Sequence, residues 1–189
     1  IPIFEKYGYA TVKMIGGADS KPIPERYYAV KAGLGFIGKN GCLITKKFGS
    51  FVLLGSLLVN VPIEPDQPVR GTCGNCKRCM QSCPGKAIVS PRMINSNKCI
   101  SYWTIEHRGP FPKNVDIKDH LFGCDVCQEV CPYNKDLPPT PLVSIDEILS
   151  IQSEDEFFKR FAGTPFMRAK FEGMRRNAKE ILNHKFKNK

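Results

Sequence analysis

The chain has 189 residues, enough for one medium domain or two small ones, and its 42% hydrophobic and 24% charged residues are typical of a globular protein. Its longest apolar stretch, residues 51–61, contains polar residues and is too short to span a bilayer, so we expect no membrane segment. A net charge of +10 favours a polyanionic partner such as nucleic acid, although many basic proteins only carry solvated lysines. Nine cysteines and no export signal favour metal-bound thiolates in the reducing cytoplasm over a disulfide scaffold.

Residues 19–32, DSKPIPERYYAVKA, predict a short helix that Asp19 or Ser20 can cap and that Gly33 ends. The next stretch, GLGFIGKNG, matches the dinucleotide-binding pattern G-x-G-x-x-G. That fingerprint must follow a strand and open a helix, whereas this one follows a helix and opens a strand, so we reject it. The glycines still indicate a backbone that something bulky approaches closely.

Two strand-like runs come next. CLITKK and FVLLGSLLV flank a KFGS turn, and this pattern predicts a β-hairpin. Residues 62–72 contain three prolines and a glycine, which is typical of a linker. Residues 132–141, PYNKDLPPTP, are also proline-rich and are predicted to form the exit, that is, a second linker. The segment between these two linkers starts after residue 72.

That segment carries two cysteine runs. CGNCKRCMQSCP has the C-x2-C-x2-C-x3-C-P spacing of two-cluster ferredoxins, in which the fourth cysteine binds the other cluster. FGCDVCQEVCP has only three cysteines and one Cys-Pro exit. If the cysteine before each proline crosses to the other cluster, NSNKCISYW supplies the missing eighth ligand. The predicted sets are Cys73, Cys76, Cys79 and Cys131 for cluster 1, and Cys83, Cys99, Cys124 and Cys127 for cluster 2.

A structural zinc site is the alternative for these cysteines, since zinc also binds C-x2-C pairs. Zinc rarely needs a C-x2-C-x2-C triplet, and it does not explain two Cys-Pro exits, so the spacing favours iron–sulfur clusters. The ninth cysteine, Cys42, has apolar neighbours and is predicted to be a buried small apolar residue.

The C-terminal part is predicted to be helical and basic. SEDEFFKRF has Ser153 and Glu156 in capping-box register, and the last segment has apolar residues at helical spacing, among them Phe171 and Met174. Its charge fits either a solvated helix face or a surface that contacts phosphates. The tentative RNA-binding residues are Arg168, Lys170, Arg175 and Arg176.

Several of these segments occur in a recognisable order: DSKPIPERYYAVKAGLGFIGKNG, CGNCKRCMQSCP, KCISYWTIEHRGP, FGCDVCQEVCPYN and TPFMRAKFEGMRRNAKEIL. In this order the chain resembles the epoxyqueuosine reductase family, cobalamin- and [4Fe–4S]-dependent enzymes that complete queuosine at the tRNA wobble position. The resemblance implies that electrons pass through two clusters to cobalamin, which reduces the epoxide. Family members have a longer α/β cobalamin-binding segment before the aspartate, and many have a helical-repeat domain at the end. We therefore expect an incomplete corrin pocket, in either a piece of a longer protein or a shortened relative.

The resemblance also assigns site residues. Asp19 matches the proton donor, with a helix N-cap as the alternative, and Arg26 matches a basic residue near the corrin, with a surface arginine as the alternative. The loop that lines the cobalamin would be Gly35, Phe36, Ile37, Gly38 and Lys39. The residues that follow a cluster ligand and face the same pocket would be Ser101, Tyr102 and Thr104. Ordinary helix packing is the alternative for these last three.

We therefore expect an α+β fold in which a two-cluster ferredoxin-like domain (66–140) lies between a partial cobalamin-binding domain (1–65) and a basic helical segment (141–189). The predicted cofactors are two [4Fe–4S] clusters and cobalamin. The predicted partners of the monomeric protein are the tRNA anticodon stem-loop and a low-potential reductant such as a flavodoxin or ferredoxin. Two alternatives stay open: a ferredoxin-like electron-transfer module without catalysis, and a corrinoid reductase of a small molecule.

Overall fold

The computed structural model describes residues 2–9, 11–134 and 143–187. The α-helices in these ranges are α1 (Pro2–Glu5), α2 (Glu25–Lys31), α3 (Arg78–Ser82), α4 (Val126–Glu129), α5 (Ile145–Ser150), α6 (Glu154–Phe161) and α7 (Lys170–Lys187). Two 3-10 helices span Ser96–Lys98 and Pro165–Arg168, and a π-helix spans Tyr102–Glu106. The strands are β1 (Met14–Gly17), β2 (Phe36–Ile37), β3 (Leu43–Ile44), β4 (Ser56–Val59), β5 (Ile88–Ser90) and β6 (Met93–Ile94).

This mixture of helices and short strands confirms the α+β class. Residues 62–72 contain no helix or strand, as expected of a linker. Most of the predicted exit at 132–141, and with it the predicted boundary at residue 140, lies outside the described residues. No helix among the described residues is long and apolar enough to cross a membrane.

The strands form three antiparallel pairs, β1–β4, β2–β3 and β5–β6. The predicted hairpin across KFGS is therefore wrong, because that turn contains only one bridge, between Thr45 and Gly49. The reason is a tighter turn just before it. The Gly38 N–H donates to the Cys42 carbonyl at 2.9 Å, and Gly41 has a φ of 79°, so β3 folds back onto β2. The FVLLGSLLV run, which contains β4, pairs with β1 instead.

Helix α2 begins later than expected. It starts at Glu25, after Pro24, and no side chain caps it, so the predicted cap by Asp19 or Ser20 is wrong. Prolines at 22 and 24 keep the residues before them out of the helical region. The predicted end at Gly33 is confirmed: Gly33 has a φ of 69°, and the N–H groups of residues 33 and 34 close the last turn.

The C-terminal helices build the main apolar core. Ser153 caps α6, and its hydroxyl accepts the Glu156 N–H at 3.2 Å, which confirms the capping box. Helix α7 presents one apolar face to α5 and α6, and this confirms the predicted helical spacing. The buried residues of that face are Phe171, Met174, Ala178 and Ile181.

A second, smaller cluster joins α7 to the cysteine segment. Ile100, Ile117 and Ile181 are buried together, and the partly buried Trp103 and Cys124 pack against them. Helix α7 therefore supports the segment that contains two of the predicted cluster-2 ligands.

Candidate metal centre and cofactor loop

The four cysteines predicted for cluster 1 line one cavity of about 280 Å³. Burial is the main cause that raises the pKa of the Cys79 thiol, and the charges of Cys73, Cys131 and Cys76 raise it further. Burial also raises the pKa of Cys131, and Cys73 and Cys76 add to that effect. The structure thus places Cys131, from the second run, beside Cys73, Cys76 and Cys79 of the first run.

The cysteines predicted for cluster 2 also interact with one another. Burial raises the pKa of Cys124, and the charges of Cys99 and Cys83 raise it further. Burial likewise raises the pKa of Cys127 to about 12, with Cys42, Cys124 and Cys83 as additional causes, and Cys79 of the other group as the smallest. The Cys83 Sγ also accepts the Ala87 N–H at 3.2 Å. The crossing predicted from the Cys-Pro exits agrees with this grouping.

Two short helices lie just before the cysteines that are predicted to cross between the clusters. Cys83 is the C-cap of α3 in an extended conformation, and Pro84 prevents the helix from continuing. Cys131 follows α4, and its N–H donates to the Gln128 carbonyl at 2.9 Å before Pro132 redirects the chain. Because α3 packs against α4, each helix carries its last cysteine towards the other run.

The donor set fits an iron–sulfur cluster. Thiols that are desolvated and close to other thiolates do not ionise easily, so a group of four needs a multivalent cation to hold them as thiolates. A single zinc ion would hold its sulfurs about 3.8 Å apart, given Zn–S bonds of about 2.3 Å. Within the described ranges, no three His, Cys, Asp or Glu side chains are grouped as ligands of one metal ion.

Cys42, the ninth cysteine, lies beside both groups. It is half-buried, and burial raises the pKa of its thiol to about 11, with the Arg26 charge opposing the shift. Asp125, Cys131 and Cys79 contribute smaller upward shifts. The thiol is therefore neutral at physiological pH, as expected of a small apolar residue, but it is half-buried and not fully buried as predicted.

The glycine loop lies directly on the first cysteine run. The Lys39 backbone N–H points to the Cys73 Sγ at 3.4 Å, and its Nζ donates to the carbonyls of Gly74 (2.6 Å) and Cys76 (2.8 Å). Asn40 Nδ2 donates to the Cys127 carbonyl at 3.4 Å, so the loop contacts both runs. No local sequence pattern predicts these contacts, because the partners are 34 to 87 residues apart in the chain.

The glycines of this loop are required by close contacts with another part of the chain. A Cβ on Gly35 would lie 2.2 Å from the Ile44 carbonyl oxygen, and one on Gly38 would lie 2.6 Å from the Ile44 Cδ1. The bulky group that approaches the glycines is therefore β3, and no cofactor is needed to explain them. Arg26 fixes the same loop by donating from Nη1 to the Gly41 carbonyl.

The fit of this loop to a corrin is partial. Leu34, at its start, is 55% exposed and offers an apolar surface next to the fixed backbone. Phe36 and Ile37 are half-buried, and Phe36 packs edge-on against Tyr133. The cobalamin assignments of Arg26 and of residues 35–39 stay predictions.

The residues after Cys99 are mostly engaged in packing. Thr104 is 0% exposed, donates to the Ile100 carbonyl at 2.9 Å and accepts the Gly123 N–H at 3.0 Å. These contacts favour the helix-packing alternative for Thr104. Ser101 Oγ is 3.5 Å from the Cys124 carbonyl, and Tyr102 is half-buried against Trp103.

Asp19 is not a helix cap but an exposed residue in a tight turn. Its φ of 52° lies in the left-handed region, which aspartate tolerates better than most residues. Its carboxylate is 79% exposed and pairs with Arg168 at 3.1 Å, and its N–H donates to Glu25 Oε1 at 3.0 Å. This removes the N-cap alternative and leaves an accessible carboxylate.

The four tentative RNA contacts differ in accessibility. Lys170 is exposed at the start of α7, and Arg175 is half-buried near the Phe171 ring. Arg168 pairs with Asp19 and Glu106.

Arg176 is used inside the fold. Its guanidinium donates to the carbonyls of Trp103, His107 and Gly109 and lies 4.2 Å from the centre of the Phe111 ring. Burial lowers its pKa, with the Arg108 charge as the second cause. We therefore do not include Arg176 in an RNA-binding surface.

Comparison with known proteins supports these features. Residues 72–134 match the model of a 4Fe-4S double cluster binding domain, which favours iron–sulfur clusters over zinc. An epoxyqueuosine reductase from Synechocystis sp. is 38% identical over 178 residues, which cover 87% of this chain and 62% of the relative. Another from Atelocyanobacterium thalassa is 40% identical over 178 residues, or 87% of this chain and 58% of the relative.

Solved structures give the same result. A crystal structure of selenomethionine-labelled epoxyqueuosine reductase has a TM-score of 0.84 and 32% identity, covering 97% of this chain and 52% of that one. One with an epoxyqueuosine-modified tRNA-Tyr stem loop has a TM-score of 0.83, 32% identity and the same coverage. One from Bacillus subtilis, described with its catalytic loop swung out of the active site, has a TM-score of 0.80 and 32% identity over 97% of this chain and 51% of that one. The chain thus spans about three fifths of the two relatives and about half of these structures.

Proposed function

We propose that the chain, over the part that it spans, belongs to the epoxyqueuosine reductase family and reduces epoxyqueuosine to queuosine at the tRNA wobble position. The observation that carries the proposal is the contact between the glycine loop and two groups of four cysteines. The reaction consumes two electrons and two protons. The epoxide C–O bonds break, a C=C bond forms, and the oxygen leaves as water.

In this proposal, two [4Fe–4S] clusters would supply the electrons when bound. Cys73, Cys76, Cys79 and Cys131 would hold cluster 1, and Cys83, Cys99, Cys124 and Cys127 would hold cluster 2. The grouping of the thiol pKa shifts supports these sets. An external reductant such as a flavodoxin or ferredoxin would deliver electrons one at a time.

Cobalamin would be held by Arg26 and by Gly35, Phe36, Ile37, Gly38 and Lys39, with Ser101 and Tyr102 nearby. When bound, it would supply the low-potential chemistry that breaks the first C–O bond. The contribution of this chain is to fix the loop. Arg26 holds the Gly41 carbonyl, and Lys39 ties the loop to the first cysteine run. These contacts hold the loop against the first of the cysteines that would bind cluster 1.

Asp19 would be the proton donor to the epoxide oxygen. Its exposed carboxylate and its strained turn support this role, since unusual backbone conformations of non-glycine residues are concentrated at functional sites. The Bacillus subtilis relative is described with a catalytic loop that leaves the active site, and the turn that contains Asp19 would be the corresponding mobile element.

The substrate would be the tRNA anticodon stem-loop, which presents the modified base from an unpaired loop. A relative with an epoxyqueuosine-modified tRNA stem loop and the net charge of +10 support this partner. Lys170 and Arg175 remain candidates for backbone contacts at the start of α7. A monomer in the cytoplasm remains our expectation.

The test is single-turnover conversion of epoxyqueuosine-tRNA under anaerobic conditions, with and without cobalamin, followed by mass spectrometry of the nucleosides. We expect queuosine only when cobalamin is present, and no product from Asp19→Asn at unchanged iron content. No conversion by a protein that contains both clusters and bound cobalamin would contradict the proposal.

A cobalamin titration monitored by EPR separates the two alternatives. Full iron content without corrin binding would indicate an electron-transfer module. Corrin binding without affinity for tRNA would indicate a corrinoid reductase of a small molecule.

A further inference from the structure

One guanidinium connects the turn that contains Asp19 to the other end of the chain. Arg168 Nη1 lies 3.1 Å from both the Asp19 carbonyl oxygen and its Oδ2. Arg168 Nε lies 3.1 Å from both carboxylate oxygens of Glu106. Since Asp19 and Arg168 are 149 residues apart in sequence, no local effect accounts for this contact.

Arg168 is itself held in place. Arg108 Nη2 donates to the Arg168 carbonyl at 2.8 Å, and Arg108 Nη1 donates to the Ile105 carbonyl at 2.8 Å. The hydrogen bond to Glu106 is the main cause that raises the pKa of Arg168, while Asp19 is the last. The Glu106 carboxylate is also less exposed than that of Asp19, 40% against 79%, so solvent screens its ion pair less. Glu106 is therefore the anchor of the guanidinium, and Asp19 is the weaker partner.

The turn needs such contacts to keep its shape. Asp19 has a φ of 52°, which costs free energy for any residue except glycine. The turn is also tight, because a Cβ on Gly17 would lie 2.8 Å from the Ser20 Oγ. Glu25 holds the Asp19 N–H, and Arg168 holds its carbonyl and its carboxylate. All three polar groups of Asp19 are thus directed by side chains from elsewhere.

We propose that Arg168 is a positioning residue that orients the Asp19 carboxylate and holds its turn closed, with Glu106 as its anchor. This inference rests on the proposed function, in which Asp19 donates the proton. Both carboxylates and the guanidinium are partly exposed, so the contact is weak enough to break when substrate enters or product leaves. The same geometry means that the Arg168 charge is already engaged within the chain and is not free for a phosphate.

The test compares Arg168→Ala, Arg168→Lys and Glu106→Gln with a matched control, Arg160→Ala. Arg160 forms an ion pair of similar exposure with Glu147, on helices α6 and α5. Arg160→Ala removes the same charge from an ion pair that contains no residue of the Asp19 turn. Each holoenzyme is assayed for kcat and KM on epoxyqueuosine-tRNA and for amide hydrogen exchange of residues 16–21.

We expect Arg168→Ala to lower kcat by about tenfold to a hundredfold, the usual cost of a misplaced catalytic group, with the KM for tRNA changed less than about twofold. Exchange in residues 16–21 should become faster. Arg168→Lys, which cannot bridge both carboxylates as a planar fork, should restore only part of kcat, and Glu106→Gln should lower kcat less than Arg168→Ala. Arg160→Ala should match the wild type in all three measurements.

Two results would overturn the inference. A higher KM at unchanged kcat for Arg168→Ala would make Arg168 an RNA contact, and unchanged exchange in residues 16–21 would show that it does not hold the turn. If the wild type converts no epoxyqueuosine-tRNA, the proposed function fails instead. The exchange measurement still decides whether Arg168 closes the turn.

Discussion

The two ends of the described chain are held by different forces. Residues 143–187 enclose an apolar core, in which Ile148, Ile151 and Met174 are completely buried. Residues 11–61 bury few apolar side chains, and Leu53 is 88% and Ile15 58% exposed. The helical end therefore has its own hydrophobic stabilisation, whereas the strand end depends on its contacts with the rest of the protein.

The two ends are also attached to the cysteine segment by different interactions: the strand end by hydrogen bonds and the helical end mainly by apolar packing. Lys39, Asn40 and Ser50 connect the strand end to the cysteine runs through hydrogen bonds. The helical end is attached through the apolar cluster around Ile181, and Asn177 Nδ2 adds hydrogen bonds to the carbonyls of residues 104 and 121. Hydrogen bonds need fixed partners, while an apolar core tolerates small shifts. We therefore expect loss of a cluster to affect the strand end more than the helical end.

The largest effect is expected from removing cluster ligands in pairs. If Cys73 and Cys131 bind the same cluster, the double variant Cys73→Ala/Cys131→Ala should keep about four irons per chain. Cys124→Ala/Cys131→Ala should lose both clusters and keep almost none. Iron analysis and EPR measure this, with Cys42→Ala as a control that keeps full iron. Equal iron contents in the two double variants would contradict the crossing.

The next largest effect is expected from adding a single methyl group to the glycine loop. Gly35→Ala places a Cβ 2.2 Å from a backbone oxygen of β3, so β2 and β3 must separate, at a cost of about 3 kcal/mol or more. Gly74→Ala is the matched control. Its Cβ would meet nothing within 4 Å, and only its φ of 50° is unfavourable, for about 1 kcal/mol. Urea unfolding under anaerobic conditions measures both, and equal losses would contradict the steric explanation.

A core truncation compares the two ends directly. Met174→Ala removes a side chain with 0% exposure and should lower the free energy of unfolding by about 2–5 kcal/mol. Leu53→Ala, at the strand end, should change it by less than about 0.5 kcal/mol, because this side chain already lies in water. Far-UV circular dichroism during urea unfolding gives both values. A large loss for Leu53→Ala would show that the strand end has an apolar contact of its own.

The smallest effect concerns the turn that directs Ile117 into the second apolar cluster. The Lys118 hydrogen bond is the main cause that lowers the pKa of Asp116. A carboxyl group with a lowered folded-state pKa stabilises the fold above its ordinary pKa, and this contribution is lost as the pH falls through the folded value. Asp116→Asn should therefore cost a few tenths of a kcal/mol, about equally between pH 5 and pH 8, because the pair is exposed. Urea unfolding at both pH values checks this, and a cost that changes between them would assign the stabilisation to another group.

The sequence determined the features that depend on neighbours along the chain. Four such features follow from spacings of a few residues, and the structure agrees with each. They are the Cys-Pro exits, the capping box at Ser153, the end of α2 at Gly33 and the apolar face of α7. The assignment of the cysteines to two clusters stays a prediction, although Cys131 does line one cavity with Cys73, Cys76 and Cys79.

Tertiary contacts decided what spacing could not. FVLLGSLLV pairs with β1 rather than with its neighbour, because the Gly38–Gly41 turn had already committed β3 to β2. Arg168 and Arg176 look alike in sequence, yet one holds Asp19 and the other donates to three carbonyls inside the fold. A basic residue contributes its charge to the sequence pattern wherever it lies, but its role depends on which distant oxygen atoms the fold brings within about 3 Å of it.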